Sequence, residues 1–319
     1  MILQSNNLNA FYNLAVEEYL LSMDLERYPI LFLWQSENAV LVGRNQNPWR
    51  ECRLAILRRN SGVLARRLSG GGAVYHDRGN LNCTLVVPRD TYDEQHVYQL
   101  LIDSLADLGV QAQLTNRNTL TVDGRKMSGN AFCLRSDRAL HHATLLVTAD
   151  LDRLSAVLSP VDERIHSRAV PSEPASVMNL SEVAADLTVA RLKKVIAERF
   201  AGGQAESIPV SDLDQATILE LREKYESWKW SFGRTPAFDI ELNGGFDWGR
   251  LDLKIHVEDG QIHDVFVLKP STLDNKPAGA LPSSLAGLRF CSGEMAAALR
   301  TSAFPEFEDI AVWLESNGF

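Results

Sequence analysis

Three consecutive glycines, Gly70, Gly71 and Gly72, separate two short apolar runs in VLARRLSGGGAVYHDRGNLN (residues 63–82). Glycine adopts positive φ freely and carries no Cβ, so the triplet imposes a turn and lets backbone N–H groups approach a bound anion. Two readings satisfy that spacing: a tight hairpin joining VLARR to AVYH, and an anion-binding loop. Arg66 and Arg67 supply planar, permanently charged forks suited to phosphate or carboxylate. As neighbours on a strand they point to opposite faces. His76 and Asp77 close the turn, and Gly79 with Asn80 and Asn82 opens a second one. Neither G-x-x-x-x-G-K-[ST] nor a strand-linked G-x-G-x-x-G is present, which excludes two familiar phosphate loops.

Around this segment the chain alternates between two periods. Phe11, Leu14, Ala15 and Tyr19 predict an amphipathic helix over residues 9–23, capped by Asn9, with Glu17 and Glu18 on its solvated side. PILFLW and AVLVG read as strands, residues 50–60 as a helix, CTLVVP as a strand, and residues 92–108 as a second amphipathic helix stopped by Gly109. VQAQLT, TLTVDG and RKMSGNAF follow as short strands joined by an Asn-rich and an Asp-Gly turn. HHATLLVT reads as a buried strand and LDRLSAVL as a short helix. The expected fold class is α/β (α+β), a mixed β-sheet with flanking helices and its motifs on strand ends and turns. Residues 160–179 lack periodicity and read as a long loop, a feature usually functional or disordered. After helices over residues 187–200 and 212–227, the strands FDIELN, GFDWGRLDLKIHVED and QIHDVFVL are expected, joined by Asn-Gly-Gly and Asp-Gly-Gln turns. Three short helices end the chain. A division near residue 226 therefore separates a large domain, residues 1–226, from a small α+β module, residues 227–319.

Composition excludes several classes. The net charge of −9 argues against a nucleic-acid surface. No run approaches a membrane span, and the N-terminus lacks a basic then apolar leader, so a soluble, cytoplasmic protein is expected. The four cysteines (Cys52, Cys83, Cys133, Cys291) have no C-x-x-C spacing and indicate neither zinc nor a disulfide framework. Recognition of an acidic protein partner would need a local basic patch, for which Arg44, Arg66 and Arg67 are candidates.

RRLSGGGAVYHDRGNLN resembles the RRxSGGGxVYHDxGNxN signature of the lipoate-protein ligase and lipoyltransferase family, within the biotinyl/lipoyl ligase superfamily. LAVEEYLL (residues 14–21), VGRNQNPWREC (residues 42–52), GRKMSGNA (residues 124–131), HHATLL (residues 141–146) and WKWSFGRTPAF (residues 228–238) extend the resemblance in order over nearly the whole chain. It implies a biotinyl/lipoyl protein ligase-like catalytic domain followed by the accessory C-terminal domain of bacterial ligases. The activity it implies uses ATP with Mg²⁺. Lipoate is converted to lipoyl-AMP, and the lipoyl group passes to a lysine of an apo lipoyl-domain protein, an E2 subunit of a 2-oxoacid dehydrogenase or the glycine cleavage H protein.

By the same resemblance, Lys126 bridges the lipoyl carboxyl group and the α-phosphate. Arg67 would hold the phosphate side as a bidentate donor, and Gly72, Ala73, Val74 and Tyr75 would line the adenylate. Asn118 joins the ATP side, although this chain reads Arg117, Asn118, Thr119 where many relatives have Arg-Asn-Asp. The lipoate side comprises Lys126, Arg67, Gly71, His76 and His142. Leu33, Trp34, Val42, Val74 and Ala131 would form its apolar walls, each buried methylene contributing roughly 0.8 kcal/mol. His76 and His142 read as structural, His76 bonded to Asp77, with a general base for the incoming lysine as the other reading. Residues 160–179 match the segment that orders over the adenylate, making Arg164 and Arg168 phosphate-side candidates. No metal ligands are readable, and a monomer is the default. A transferase using preformed lipoyl-AMP or a lipoylated donor, its cysteine-dependent variant through Cys133, and a non-catalytic lipoyl-binding module are the competing expectations.

Overall fold

The computed structural model describes residues 1–115, 119–158, 162–269 and 271–319. An eight-stranded mixed sheet forms its centre, in the order Ile208–Pro209, Ile2–Gln4, Ile30–Trp34, Asn80–Pro88, Arg138–Leu146, Arg125–Leu134, Thr119–Val122, Gln113–Thr115. Helices Glu94–Ala106 and Val189–Ala201 cover one face around Leu31, Leu33, Leu101 and Ile196. Helices Ala10–Leu20 and Gln215–Glu226 pack on the other, around Phe32, Trp34, Leu14 and Ile218. Asn9 caps the first helix as expected, its Oδ1 accepting from Tyr12 N–H at 2.9 Å. The same helix corrects the placing of Glu17. It lies between the sheet and a second helix, so Glu17 is buried while Glu18 pairs with Lys224.

The glycine segment is not a hairpin. Val63–Arg66 and Val74–His76 each pair with Ala39–Val42, the first parallel and the second antiparallel, so that strand lies between them. The loop of residues 67–73 therefore crosses the end of the middle strand, and Gly43 sits directly beneath it. A Cβ on Gly43 would stand 2.1 Å from Gly71 O, which only glycine avoids. Gly71 itself has φ +85°.

A third sheet, Ile165–Ser167, Phe238–Phe246, Gly249–Glu258 and Gln261–Leu268, carries helices Asn275–Leu285, Ser292–Arg300 and Glu306–Asn317. Its outer strand comes from the segment expected to be loop, and its core includes Val42, Trp49, Leu54 and Leu57. The expected Asn-Gly-Gly turn is absent. The strand runs through Asn243, Gly244 and Gly245 and reverses only after Phe246, because Gly244 leaves room for the rings of Phe246 and Trp313. The helix expected over residues 50–60 is two pieces, Pro48–Glu51 and Leu54–Arg59, interrupted where Cys52 is extended and bridges to Leu158. Among the described residues, no helix is long and apolar enough to cross a membrane.

Candidate functional site

Arg66 and Arg67 leave the end of one strand in opposite directions. Arg66 is fully buried with no acid beside it among the described residues. It donates to Gly43 O, Arg44 O and Gln46 O on one side, and to Ser231 O and Thr235 Oγ1 on the other. Trp230 Nε1 returns a bond to Arg66 O at 2.8 Å. WKWSFGRTP is thus tied to the glycine segment by a buried cation bonded to carbonyls and one hydroxyl. Burial lowers the Arg66 pKa to about 10, which leaves it charged at neutral pH.

Arg67 turns under the glycine loop. Its guanidinium donates to Leu41 O, Gly70 O, Gly72 O and Ser69 Oγ. This differs from the expected free bidentate fork, since most of its donors already hold the loop's own carbonyls. Such a loop is pre-shaped, with its carbonyls turned to the arginine. Ser69 Oγ also bonds His142 Nε2 at 2.8 Å, and His142 Nδ1 lies 3.3 Å from Glu17 Oε1. Glu17 accepts in turn from Thr84, and Thr84 from Trp34 Nε1 at 3.0 Å. Glu17 is the member that sequence reasoning missed. The adjacent Glu-Glu pair looked like a charged face, and only the second helix packed over it makes one of the two internal.

Two cavities adjoin above this network. The larger, about 400 Å³, has walls from Val74, Tyr75, Asn80, Leu146, Leu151, Leu154 and Leu158. The smaller, about 270 Å³, is lined by Trp34, Leu41, Arg67, Gly71, Gly72, His76, Asn82, Ala131 and His142, with Thr119 at its edge. Ala73, Val74, Lys126, Gly129, Thr144, Ser172 and Glu173 border both. The expected site residues Gly71, Gly72, Ala73, Val74, Tyr75, Arg67, His76, His142 and Lys126 are therefore brought together. Asn118 lies outside the described residues. Of the expected apolar walls, Trp34, Val74 and Ala131 line the smaller cavity. Leu33 and Val42 face separate cores instead, because their strand neighbours take the cavity side.

Lys126 stands at a register shift in the pairing of Thr119–Val122 with Arg125–Leu134. Its N–H donates to Ser176 O at 2.8 Å and its carbonyl accepts from Met178 N at 2.9 Å. The backbone is locked on both edges, while Nζ meets no hydrogen-bond acceptor among the described residues. Burial lowers its pKa, with Glu173 opposing that shift and Arg67 adding to it. An ammonium held half-dry in this way gains most from an anion entering the site.

Residues 170–177 form the cover. Ser172 Oγ accepts from Ala73 N–H at 2.9 Å and from Gln46 Nε2 at 3.0 Å, and Ser172 N–H donates to Glu51 Oε2 at 3.0 Å. Arg164 and Arg168 do not reach the cavities. Arg164 is bonded to Asp162 and Asn317, away from both, and Arg168 is solvent-exposed.

His76 is buried with neither ring nitrogen bonded among the described residues, and the expected pairing with Asp77 is not formed. Asp77 accepts instead from the N–H groups of Gly79 and Asp150. Burial first, then Arg67 and His142, push His76 down to about 3. His141, bonded to Tyr92 and Asn130, is pushed to about 3 by burial. Neither can serve as a base of useful strength at neutral pH. Burial raises the Cys133 thiol pKa, which suppresses the thiolate a cysteine-dependent transfer would need.

A pH prediction follows from the two histidines. Their folded values, about 3, lie below the ordinary 6.5, so the unfolded chain binds more protons between those limits. Stability is complete above pH 6.5 and is lost as pH falls toward 3. At pH 5 the loss approaches about 2 kcal/mol per histidine. Melting temperature of the ligand-free protein should decline from pH 7 to pH 5, before carboxylates titrate, and decline less in His76→Gln. A flat profile over that range would contradict the burial of these rings as neutral groups.

The fold and paired cavities define a class: an α/β domain with two adjoining cavities that share one lysine, Lys126. The chain belongs to the lipoyl protein ligase A/B family, whose catalytic-domain profile, "Lipoyl protein ligase A/B catalytic domain", matches residues 9–201. It is 34% identical over 330 aligned positions to a protein of Psychrobacter cryohalolentis named lipoate-protein ligase A, covering 98% of this chain and 97% of that one. A crystal structure described as lipoate-protein ligase A bound with ATP is 27% identical with a TM-score of 0.63, covering 73% of this chain and 98% of its own. A bi-partite lipoate protein ligase from Thermoplasma acidophilum, described together with its E2 lipoyl domain, is 26% identical with a TM-score of 0.63, covering 73% and 96%.

Proposed function

We propose that this chain is an ATP-dependent lipoate–protein ligase that performs both half-reactions. The observation that carries this reading is the junction of the two cavities at Lys126. In it the nucleoside occupies the larger cavity against Val74 and Tyr75, and the lipoyl chain occupies the smaller one against Trp34 and Ala131. The lipoate carboxylate and the α-phosphate then meet beside Lys126 and the backbone of Gly72 and Ala73.

Both reactants are anions, and the barrier is lowered by supplying positive charge and an in-line arrangement. A carboxylate oxygen attacks the α-phosphorus and forms the mixed anhydride lipoyl-AMP, while pyrophosphate leaves. The acceptor's lysine amine then attacks the acyl carbon, the amide forms and AMP departs. Lys126 supplies charge to both steps, Arg67 keeps the loop in shape, and Ser172 fastens the cover that excludes water. Mg²⁺ would enter with the triphosphate as part of the substrate. Glu51, on the wall of the larger cavity, accepts from Ser172 N–H through Oε2 and leaves Oε1 buried without a partner among the described residues, a carboxylate oxygen that could face such an ion. The acceptor in this reading is an apo E2 lipoyl domain or the glycine cleavage H protein, and the Thermoplasma ligase described with its E2 lipoyl domain supports the first of these. Residues 1–226 are the catalytic domain in this reading and residues 227–319 the accessory one, with Ile165–Ser167 crossing between them.

The test is pyrophosphate release by the purified protein with ATP, Mg²⁺ and lipoate. Lipoate-dependent release is the expected result. No release, together with modification of an apo lipoyl domain from supplied lipoyl-AMP, would replace the ligase by a transferase.

A further inference from the structure

Two exposed arginines in the Gly-Arg motifs, Arg44 and Arg234, take no part in the site as described. The buried Arg66 brings them together. Its Nη1 donates to Arg44 O at 3.1 Å, and its Nη2 to Thr235 Oγ1 at 2.8 Å, beside Arg234. Arg234 lies near the face of the Trp230 ring, 5.8 Å from its centroid, and close enough to depress the Arg66 pKa. Arg135 joins them from the end of the strand that carries Lys126, and both it and Arg44 bear on the Cys133 thiol. Among the described residues none of Arg44, Arg135 and Arg234 forms an ion pair, and the acid in the field of Arg135, Asp137, is already paired with Arg138. The nearby carboxylates are engaged, Asp137 by Arg138, Glu18 by Lys224, and Glu17 beneath the surface by Thr84 and His142. Like charges grouped without counter-ions are unfavourable in the free protein, and a partner that neutralises them gains accordingly.

The group also has a definite place. Arg44 N–H donates to Ser69 O at 2.8 Å, and its neighbour Asn45 accepts from Val170 N–H at 3.2 Å. Arg44 thus marks the seam between glycine loop and cover, on the side of the smaller cavity. We infer that Arg44, Arg135 and Arg234 form the docking rim for the acceptor protein, engaging acidic side chains that flank its target lysine. This rests on the acceptor being a protein, as in the proposed function. On a chain of net charge −9 an acidic acceptor is repelled at long range, so a local rim fixes where it lands. Arg66 and Arg67, expected in such a patch, are buried and instead hold its foundation.

The test starts transfer from supplied lipoyl-AMP, so that docking is read whether or not the protein can use ATP. Apo lipoyl domain of an E2 subunit is the acceptor, and Arg44→Glu and the double variant Arg135→Glu/Arg234→Glu are compared with the parent. Lipoate-dependent pyrophosphate release without acceptor runs in parallel. The acceptor KM should rise about tenfold or more, with pyrophosphate release within about twofold of the parent. Changing the acids flanking the acceptor's lysine to Lys should recover much of the loss. An unchanged acceptor KM, or a parallel fall in pyrophosphate release, overturns the docking rim. A parent that transfers but releases no pyrophosphate removes the ATP half of the proposed function and leaves the rim's result intact.

Discussion

Lys126→Ala should reduce lipoate-dependent pyrophosphate release by about a thousandfold or more, while leaving the melting temperature unchanged or slightly raised. The magnitude follows from removing the one positive charge that, among the described residues, is common to both cavities, where two anions must be brought together in a site screened from water. The absence of a stability cost follows from the same geometry. Nζ meets no acceptor among the described residues, and burial already disfavours its charged form, so alanine removes a desolvated ammonium and no hydrogen bond. Backbone bonds to Ser176 and Met178 persist in the variant. Rates measured with calorimetry on the same samples decide the matter. A variant that releases pyrophosphate within tenfold of the parent would remove Lys126 from the chemistry.

Arg66→Met should have the opposite profile, a large loss of stability with activity falling only as the fold fails. Five acceptors surround this guanidinium, Gly43 O, Arg44 O, Gln46 O, Ser231 O and Thr235 Oγ1, and methionine satisfies none of them. Buried groups left without partners cost about 1–3 kcal/mol each before relaxation. With partial relaxation the total should be about 3–5 kcal/mol, or roughly 4–7 °C in Tm for a chain of this length. Arg66→Lys should recover only part of this, because an ammonium on a single stem cannot reach both groups of acceptors. A Tm within 2 °C of the parent would show that these carbonyls find water or one another.

These two positions also mark how far the residues alone could be read. Lys126 was singled out by GRKMSGNA together with the other motifs, and the structure places it between the cavities. That Arg66 and Arg67 point to opposite faces follows from strand geometry. What they would touch does not: Ser231 and Thr235 lie more than 160 positions from Arg66, and no spacing rule connects them. Of the two readings of the triple glycine, the hairpin fails for a related reason. Both flanking strands are good strands, but their common partner, Ala39–Val42, comes from an earlier part of the chain. Glu17 was misread because burial depends on the helix Gln215–Glu226 lying across it, which no local period records.

Local residues alone were enough to read most of the helices, the Asn9 cap, most of the strand runs, the glycine loop and, through six motifs in order, the family. Each of those depends on residues a few positions apart, where 3.6- and 2-residue periods and turn chemistry operate. Tertiary structure alone decided which faces became internal, that Ile165–Ser167 extends the distant C-terminal sheet, and that two cavities converge on Lys126. Those outcomes turn on which remote surfaces meet, a matter of shape and burial summed over the whole chain.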